Sequence, residues 1–396
     1  MTVLVFYFYC HRLILKNAQS ITDNYFSSRT ISTQGTIYCF GILFITRHTI
    51  RRFLQLSDTP PIFVQSATQA IQKGFTSTDH ILSWGKRGEY EAQKLSEQMS
   101  VDVWQIEDGF LRSFGLGSDF NRPASLVIDT KGIYYDPNTS SDLENILNKH
   151  PFSRKEIEHA FQFKKALAES SISKYILGDK RTLNIPTNSK KSILIPGQVE
   201  DDASIQKGTF DISTNKQLII AVRKSNLDAY IIYKPHPDVL SGNRKGTVDE
   251  NIALTYCNAI ETQASIAHCL KAVDEVHTMT SLVGFEGLIH DCKVYCYGLP
   301  FYAGWGLTQD RHKCSRRNSP RSLSQLIYAS YFLYPLYYDW QKNQYTNAAD
   351  TLSYFTKASE KTRVAPPKSL IFQRLLKYKN VLRGFYNSLF SDIKKT

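Results

Sequence analysis

The sequence predicts an α/β fold of two Rossmann-like lobes built on parallel sheets, and three observations predict it. A chain of 396 residues exceeds one ordinary core and suits two domains of about 150 residues each plus extensions. From Ile62 onward, short β-branched runs alternate with helical stretches, the pattern of strands joined by crossover helices. Acidic, basic and hydroxyl residues cluster directly after those runs, at the strand ends where ligands of such sheets sit. With 42% hydrophobic and 21% charged residues, apolar surface suffices for two cores, which argues against disorder outside the ends.

In chain order, residues 1–36 are set apart as an atypical N-terminal segment. The apolar runs "VLVFYFYC" and "TIYCFGILFIT" fall well short of the ~20 residues that span a bilayer. The first has the length of a signal-peptide core, but His11, Arg12 and Lys16 follow it and no small-residue cleavage site is evident. A first lobe is expected over 37–188. In it "HILSWG" reads as a strand, "EYEAQKLSEQMS" as a helix, "VDVWQIED" as a strand, and "SLVIDTKGIYYD" as a hairpin-like pair turning at Lys-Gly. "SSDLENILNKH" opens on a Ser or Asp cap and runs as a helix, and "SRKEIEHAFQFKKALAESSISKYIL" is a longer amphipathic one. The Lys/Asn/Pro-rich "GDKRTLNIPTNSKK" reads as a linker. A second lobe, 189–345, alternates the strand "SILIPGQ", the helix "STNKQLIIAVRKS", the strand "AYIIYKPHPD", the helix "SIAHCLKAV", the strand "EVHTMT", the helix "SLVGFEGLIH" and the strand "KVYCYG".

The last segment, 346–396, is a basic helical tail. From Lys357 on it carries ten Lys/Arg against two acids, and Ile371, Leu375, Tyr378, Leu382, Phe385 and Leu389 recur at helical spacing. Two roles fit: docking on the protein's own second lobe, or contact with an anionic membrane surface. The net charge of +12 with 23 Tyr and 22 Phe points to anionic partners, and charge alone does not choose among nucleic acid, phosphorylated sugars and acidic lipid. Seven scattered cysteines without a CxxC pair suit reduced thiols in a cytoplasmic protein. Cys292 and Cys296 with His290 raise a zinc site, but "HDCKVYCYG" reads better as a strand whose cysteines fill a core.

Four clusters carry chemistry. Glu107 and Asp108 follow "VWQI" and precede Gly109, where a buried strand opens into a loop. Adjacent carboxylates there split their pKa values and suit a general acid/base, while a loop cap explains them as well. "GQVEDDAS" places Glu200, Asp201 and Asp202 after "SILIP". One of them is a nucleophile, a ligand of magnesium in a DxD-type pair, or simply an acid at a helix N-terminus. "YKPHPD" fixes Lys234 and His236 between prolines, with Pro237 locking the turn, as an anion-binding imidazole or as a structural residue. Thr280 and Ser281 open the helix of "SLVGFEGLIH", an anion-type junction, with Glu286 further along it.

In order and spacing, "WGKR", "EDGFLRSFGLGSD", "SLVIDTKGIYYD", "GQVEDDASI", "VRKSNLDAYIIYKPHPDVLSGNRKG", "VHTMTSLVGFEGLIH", "YGLPFYAGWGLTQDR" and "LYPLYYDW" closely resemble one module of the KpsC/LipB-type capsule polysaccharide biosynthesis proteins. The resemblance runs from about Tyr38 to Trp340 and leaves the first 35 residues unmatched. It implies a GT-B-like fold, two Rossmann-like lobes facing across a cleft, and a retaining transferase. The sugar so implied is 3-deoxy-D-manno-oct-2-ulosonic acid (Kdo), which would pass from CMP-Kdo to a Kdo-containing acceptor of a capsule lipid linker or lipopolysaccharide. It further implies that a Glu107-Asp108 carboxylate is the acid/base. His236-Pro237 and Thr280-Ser281 would contact the CMP phosphate, with Lys234 beside them, and Glu286 the ribose. The nucleophile would be Asp201 or Asp202, the latter slightly preferred, with no metal or other cofactor needed.

Arg112, Gln198, Arg223, Arg244 and Lys245 are then candidates to hold the anionic substrates, Arg being suited to bidentate carboxylate contacts. Better-known members of the resembled family carry two such modules in tandem. The expected partners are CMP-Kdo, a Kdo-terminated glycolipid, the anionic inner face of a membrane through the tail, and other capsule biosynthesis or export proteins, not nucleic acid. The alternative is a non-catalytic glycan- or lipid-binding subunit of a capsule assembly and export complex.

Overall fold

The computed structural model describes residues 35–55, 59–113, 121–170, 183–187, 189–242, 244–362 and 370–393, with the backbone alone for 359–362, 370–377 and 391–393. The chain forms two compact units, the first of residues up to Thr130 together with Pro335 onward, the second Lys131–Tyr334. Strands are numbered along the chain: β1 (Ile37–Phe40), β2 (Ile62–Phe63), β3 (His80–Ser83), β4 (Val103–Asp108), β5 (Ser125–Asp129), β6 (Ser192–Pro196), β7 (Tyr230–Lys234), β8 (Ala259–Ile260), β9 (Glu275–Thr278), β10 (Lys293–Cys296), β11 (Gln309–Asp310), β12 (Pro335–Asp339) and β13 (Gln344–Thr346).

The first unit holds one sheet of order β13-β12-β5-β4-β3-β1-β2. Strands β1 to β4 run parallel, while β4–β5, β5–β12 and β12–β13 are antiparallel pairs. The expectation of a parallel sheet is therefore corrected to a mixed one. Alternation along β1 explains why the sheet reads as unbroken apolar runs. Ile37 and Cys39 pack with Ile50, Phe53, Leu82 and Ile106 on one face, and Tyr38 and Phe40 with Ala67, Ile81, Ala92 and Leu95 on the other. The hairpin expected in "SLVIDTKGIYYD" is also corrected. Only its first half is a strand, and that strand bonds β4 and β12 instead, because at Lys131 the chain leaves this unit.

The second unit holds a wholly parallel sheet of order β11-β10-β9-β6-β7-β8. Helix Asn215–Ser225 shows how the sequence builds it. Thr214 and Gln217 close a capping box at its start, and Leu218, Ile219 and Val222 pack beneath it against Ile193, Ile195 and Ile231. Helix Arg154–Ser170 belongs here as well, Phe163 packing at a tilt against Tyr331 and edge-on against Phe332. The compact units thus divide the chain at 130/131 and 334/335 rather than at 188/189 and 345/346; most of the expected linker lies outside the described residues. Cys292 and Cys296 are buried, as the core-strand reading of "HDCKVYCYG" expects.

The C-terminal helix Leu370–Ile393 forms, but it packs on the first unit, with Phe385 against Phe44 and Ser388 bonded to His48 N. That overturns docking on the second lobe. No described helix is long and apolar enough to cross a membrane.

Candidate functional sites

In the second unit, β6 is the switch point. From it the chain steps to β7 and β8 on one side and then to β9, β10 and β11 on the other, so the turns after β6 and β9 lead opposite ways, the place where sheets of this kind commonly bind ligands. Gln198, in the turn after β6, bridges to the turn after β9. Its Nε2 donates to Thr280 Oγ1 (3.0 Å), while its Oε1 accepts from Thr280 N (3.0 Å) and Thr278 Oγ1 (3.2 Å). Asn215 holds the same turn from behind. Its Oδ1 accepts from Gln198 N and its Nδ2 donates to the Gln198 and Gly246 carbonyls, each at 2.8 Å. Glu200 Oε1 accepts from Asn215 N at 2.8 Å.

The acids that follow are placed differently from one another. Asp202 caps the helix Ala203–Gly208, Oδ1 accepting from Ser204 N and Oγ at 3.0 and 2.8 Å. Asp201 is half-exposed and paired with Arg244 at 3.0 Å; slight desolvation is outweighed by that guanidinium and by Lys245, so its pKa is lowered. His236 caps the short turn Pro237–Leu240, Nδ1 accepting from Asp238 N at 3.1 Å. The neutral ring then carries its proton on Nε2, a donor suited to an anion. Ser281 caps the helix Leu282–Ile289 through Val283 N, and Tyr302 Oη donates to the Ser281 carbonyl. Glu286 is buried further along that helix, its charge acting on the Tyr302 and Tyr331 hydroxyls, whose pKa values burial already raises. Burial lowers the pKa of Lys234, with Cys269 and Glu261 opposing it.

Arg223 does not join this edge. It bonds Tyr256 O, Asn226 O, Leu227 O, Ala229 O and Asn258 Oδ1, at the opposite, N-terminal end of β7, where helix Asn215–Ser225 stops. A guanidinium spent on carbonyls there is a structural clamp, so its assignment to substrate is corrected. Asn215, Ser204 and Thr278 are the residues that sequence reasoning missed. Asn215 follows Thr214 in what reads as ordinary cap chemistry, and only its register against Gln198 distinguishes it. Among the described residues no three His, Cys, Asp or Glu side chains gather as metal ligands.

In the first unit, Glu107 and Asp108 are the last residues of β4, paired with Val127 and Leu126 of β5. Neighbours in a strand point to opposite faces, so the two carboxylates do not crowd each other as the sequence suggested. Glu107 Oε1 accepts from Asp108 N at 2.8 Å. Asp108 Oδ2 is ion-paired with Arg112 Nε, both side chains largely buried, and Arg112 Nη1 donates to Ser113 Oγ (2.7 Å) and Asn121 O (3.3 Å). Asp108 Oδ1 is buried with no hydrogen-bond partner among the described residues. Gly109 is required by proximity: a Cβ there would stand 2.3 Å from Ser125 Oγ. Arg112 therefore serves Asp108 directly. The remainder of "EDGFLRSFGLGSD" beyond Ser113 lies outside the described residues.

A family model for the capsule polysaccharide biosynthesis protein matches residues 79–176 and 153–340. The capsule polysaccharide modification protein LipA of Neisseria meningitidis serogroup A is 40% identical over 354 residues, 89% of this chain and 50% of LipA. The lipopolysaccharide-processing protein LpsZ of Rhizobium meliloti is 37% identical over 308 residues, 76% of this chain and 70% of LpsZ. The chain spans about half the length of the LipA relatives it matches. Two solved structures of Thermosulfurimonas dismutans KpsC are similar. The beta Kdo 2,7 transferase has a TM-score of 0.68 at 34% identity over 82% of this chain and 99% of that one, and the beta Kdo 2,4 transferase 0.71 at 29% over 81% and 98%. Both units are Rossmann-like, as in the α/β class expected, and the chain belongs to the capsule polysaccharide biosynthesis protein family.

Proposed function

We propose that this chain is a retaining β-Kdo transferase that takes Kdo from CMP-Kdo and delivers it to a Kdo-containing acceptor in surface polysaccharide assembly. The observation that carries the reading is likeness along nearly the full length of two chains described as β-Kdo transferases. The imidazole after β7 and the hydroxyl groups after β9 supply compatible chemistry. His236 Nε2–H, Thr280, Ser281 and the amides opening the helix Leu282–Ile289 offer neutral donors to the phosphate of a departing CMP, a monophosphate that needs no metal for its charge to be met. Glu286 would bond the ribose, and Arg244 and Lys245 the Kdo carboxylate.

Retention follows from two inversions. A carboxylate of Asp201 or Asp202 attacks the anomeric carbon, forming a glycosyl–carboxylate bond as the carbon–oxygen bond to CMP breaks. The acceptor hydroxyl then attacks that carbon, loses its proton to Asp108, and frees the aspartate. Asp108 Oδ1, without a hydrogen-bond partner among the described residues, suits proton acceptance, and Arg112 holds the carboxylate in place meanwhile.

The test incubates the purified chain with a CMP-Kdo-generating system and a Kdo-terminated acceptor, following CMP release and the intact protein mass. CMP release with a Kdo adduct on Asp201 or Asp202 is expected. A folded protein that releases no CMP with any Kdo acceptor overturns the reading, in favour of a glycan-binding subunit if it still retains the acceptor.

A further inference from the structure

The C-terminal helix Leu370–Ile393 turns its small, polar face inward. Asn380 Nδ2 donates to Asn121 Oδ1 at 3.2 Å, and Ser388 Oγ accepts from His48 N at 3.3 Å. Between them Gly384 lies so close to the chain at Ile45 that a Cβ would stand 2.6 Å from its carbonyl oxygen. These three residues recur every fourth position and so share one face. The opposite face is apolar and turned away from the protein. Tyr378, Leu382, Tyr386, Leu389 and Phe390 are 41–69% exposed and recur in steps of three and four, while Phe385 at the edge of this ridge leans on Phe44. An ordinary surface helix buries that stripe and shows its polar side; this one does the reverse.

A cluster of cations stands beside it. The Arg122 guanidinium, seated over the Trp340 ring at 4.7 Å, has its pKa pushed down to about 10 by burial and then by the charges of Arg383 and Arg52. His48 is pushed down to about 4 by burial and then by Arg122, Arg52 and Arg51. Arg52 and Arg383 thus each stand near enough to Arg122 to repel it, a cost that an external anion would relieve. From Lys357 onward the chain adds ten Lys/Arg against two acids.

We propose that the outward face of this helix and the Arg52, Arg122 and Arg383 cluster form a docking surface for an anionic lipid bilayer. The aromatic and aliphatic ridge enters the headgroup boundary and the guanidiniums take lipid phosphates, the division of labour of interfacial helices. An apolar protein partner would match the ridge but leave three like charges uncompensated. The docked helix is also bonded toward chemistry: Asn380 reaches Asn121, whose carbonyl accepts from Arg112, the partner of Asp108. If the acceptor is lipid-held, docking brings the acid/base to the level of the bilayer. That consequence rests on the transferase reading, whereas the surface itself does not.

The test is co-sedimentation of the full chain with vesicles of phosphatidylcholine alone and of phosphatidylcholine mixed with phosphatidylglycerol, without donor sugar. Binding to the mixed vesicles only, weakened by NaCl, is expected. Leu382→Ser/Tyr386→Ser/Phe390→Ser and Arg52→Glu/Arg383→Glu should each lower the binding constant by about tenfold or more at unchanged melting temperature. No binding, or binding indifferent to both variants, overturns the proposal. So does a ridge variant that melts early, which would mean that the chain itself covers the ridge, or one that turns a dimer into a monomer by light scattering, which would mean that a second copy does. CMP release in solution by a chain that does not bind vesicles would leave the transferase reading standing.

Discussion

At the C-terminal edge of the second unit the polar side chains satisfy one another: Gln198, Thr280, Thr278 and Asn215 exchange neutral hydrogen bonds across the switch point. At the end of β4 in the first unit, Asp108 spends one oxygen on Arg112 and keeps the other buried without a partner among the described residues. The first arrangement is a scaffold, since neutral bonds made in the fold need no rearrangement when an anion arrives. On the proposed reading the second would store reactivity, since a buried acceptor lacking a donor costs stability that a bound hydroxyl or water would return.

The largest expected effect comes from erasing the charge at the reactive end. Asp108→Asn keeps the shape but cannot take a proton, so CMP release in the presence of acceptor should fall by about 10²–10⁴ with the melting temperature nearly unchanged. A variant that keeps full transfer would break the comparison by making Asp108 a mere partner of Arg112. The scaffold end should respond the other way. Asn215→Ala removes three buried hydrogen bonds and should cost about 2–4 kcal/mol in denaturant unfolding. If it lost transfer without losing stability, the network would be a ligand set rather than a support.

The smallest effect is in pH. His48 in the first unit and His290 in the second are both pushed down to about 4, His48 by burial and neighbouring arginines, His290 by burial, Lys271 and Lys164 against Asp291. Their rings are neutral in the fold while the unfolded rings titrate near 6.5. As pH falls from 6.5 toward 4 the unfolded state binds more protons, and stability drops. Melting temperatures should decline over that window, and His48→Asn and His290→Asn should each flatten the decline. Phosphatidylglycerol vesicles should flatten the His48 contribution alone, because anions offset its arginines.

How much was legible divides along the same line. The order of strands and helices from Ile62 on was readable because burial on both sheet faces leaves uninterrupted apolar runs and caps leave Ser, Thr and Asp before helices. Thr280, Ser281 and His236 were likewise readable as groups at strand ends, because a parallel strand delivers whatever follows it to one edge. Their neighbours were not. Nothing in "STNKQ" separates a capping asparagine from one that clamps a turn seventeen residues earlier in the chain, and nothing in "VRKS" shows that Arg223, at the end of its helix, faces the N-terminal end of β7.

The sequence by itself determined the family, the alternation of elements and the presence of a basic amphipathic tail. All three depend on local periodicity and on ordered motifs. Only the tertiary structure decided that β4 pairs antiparallel with β5, that Glu107 and Asp108 lie on opposite faces, that Arg112 neutralises one of them, and that the tail turns its apolar side away from the protein. The physical reason is that an amphipathic pattern says which side of a helix is oily, whereas which side is inward depends on close approaches such as Gly384 against Ile45, made between residues more than three hundred positions apart.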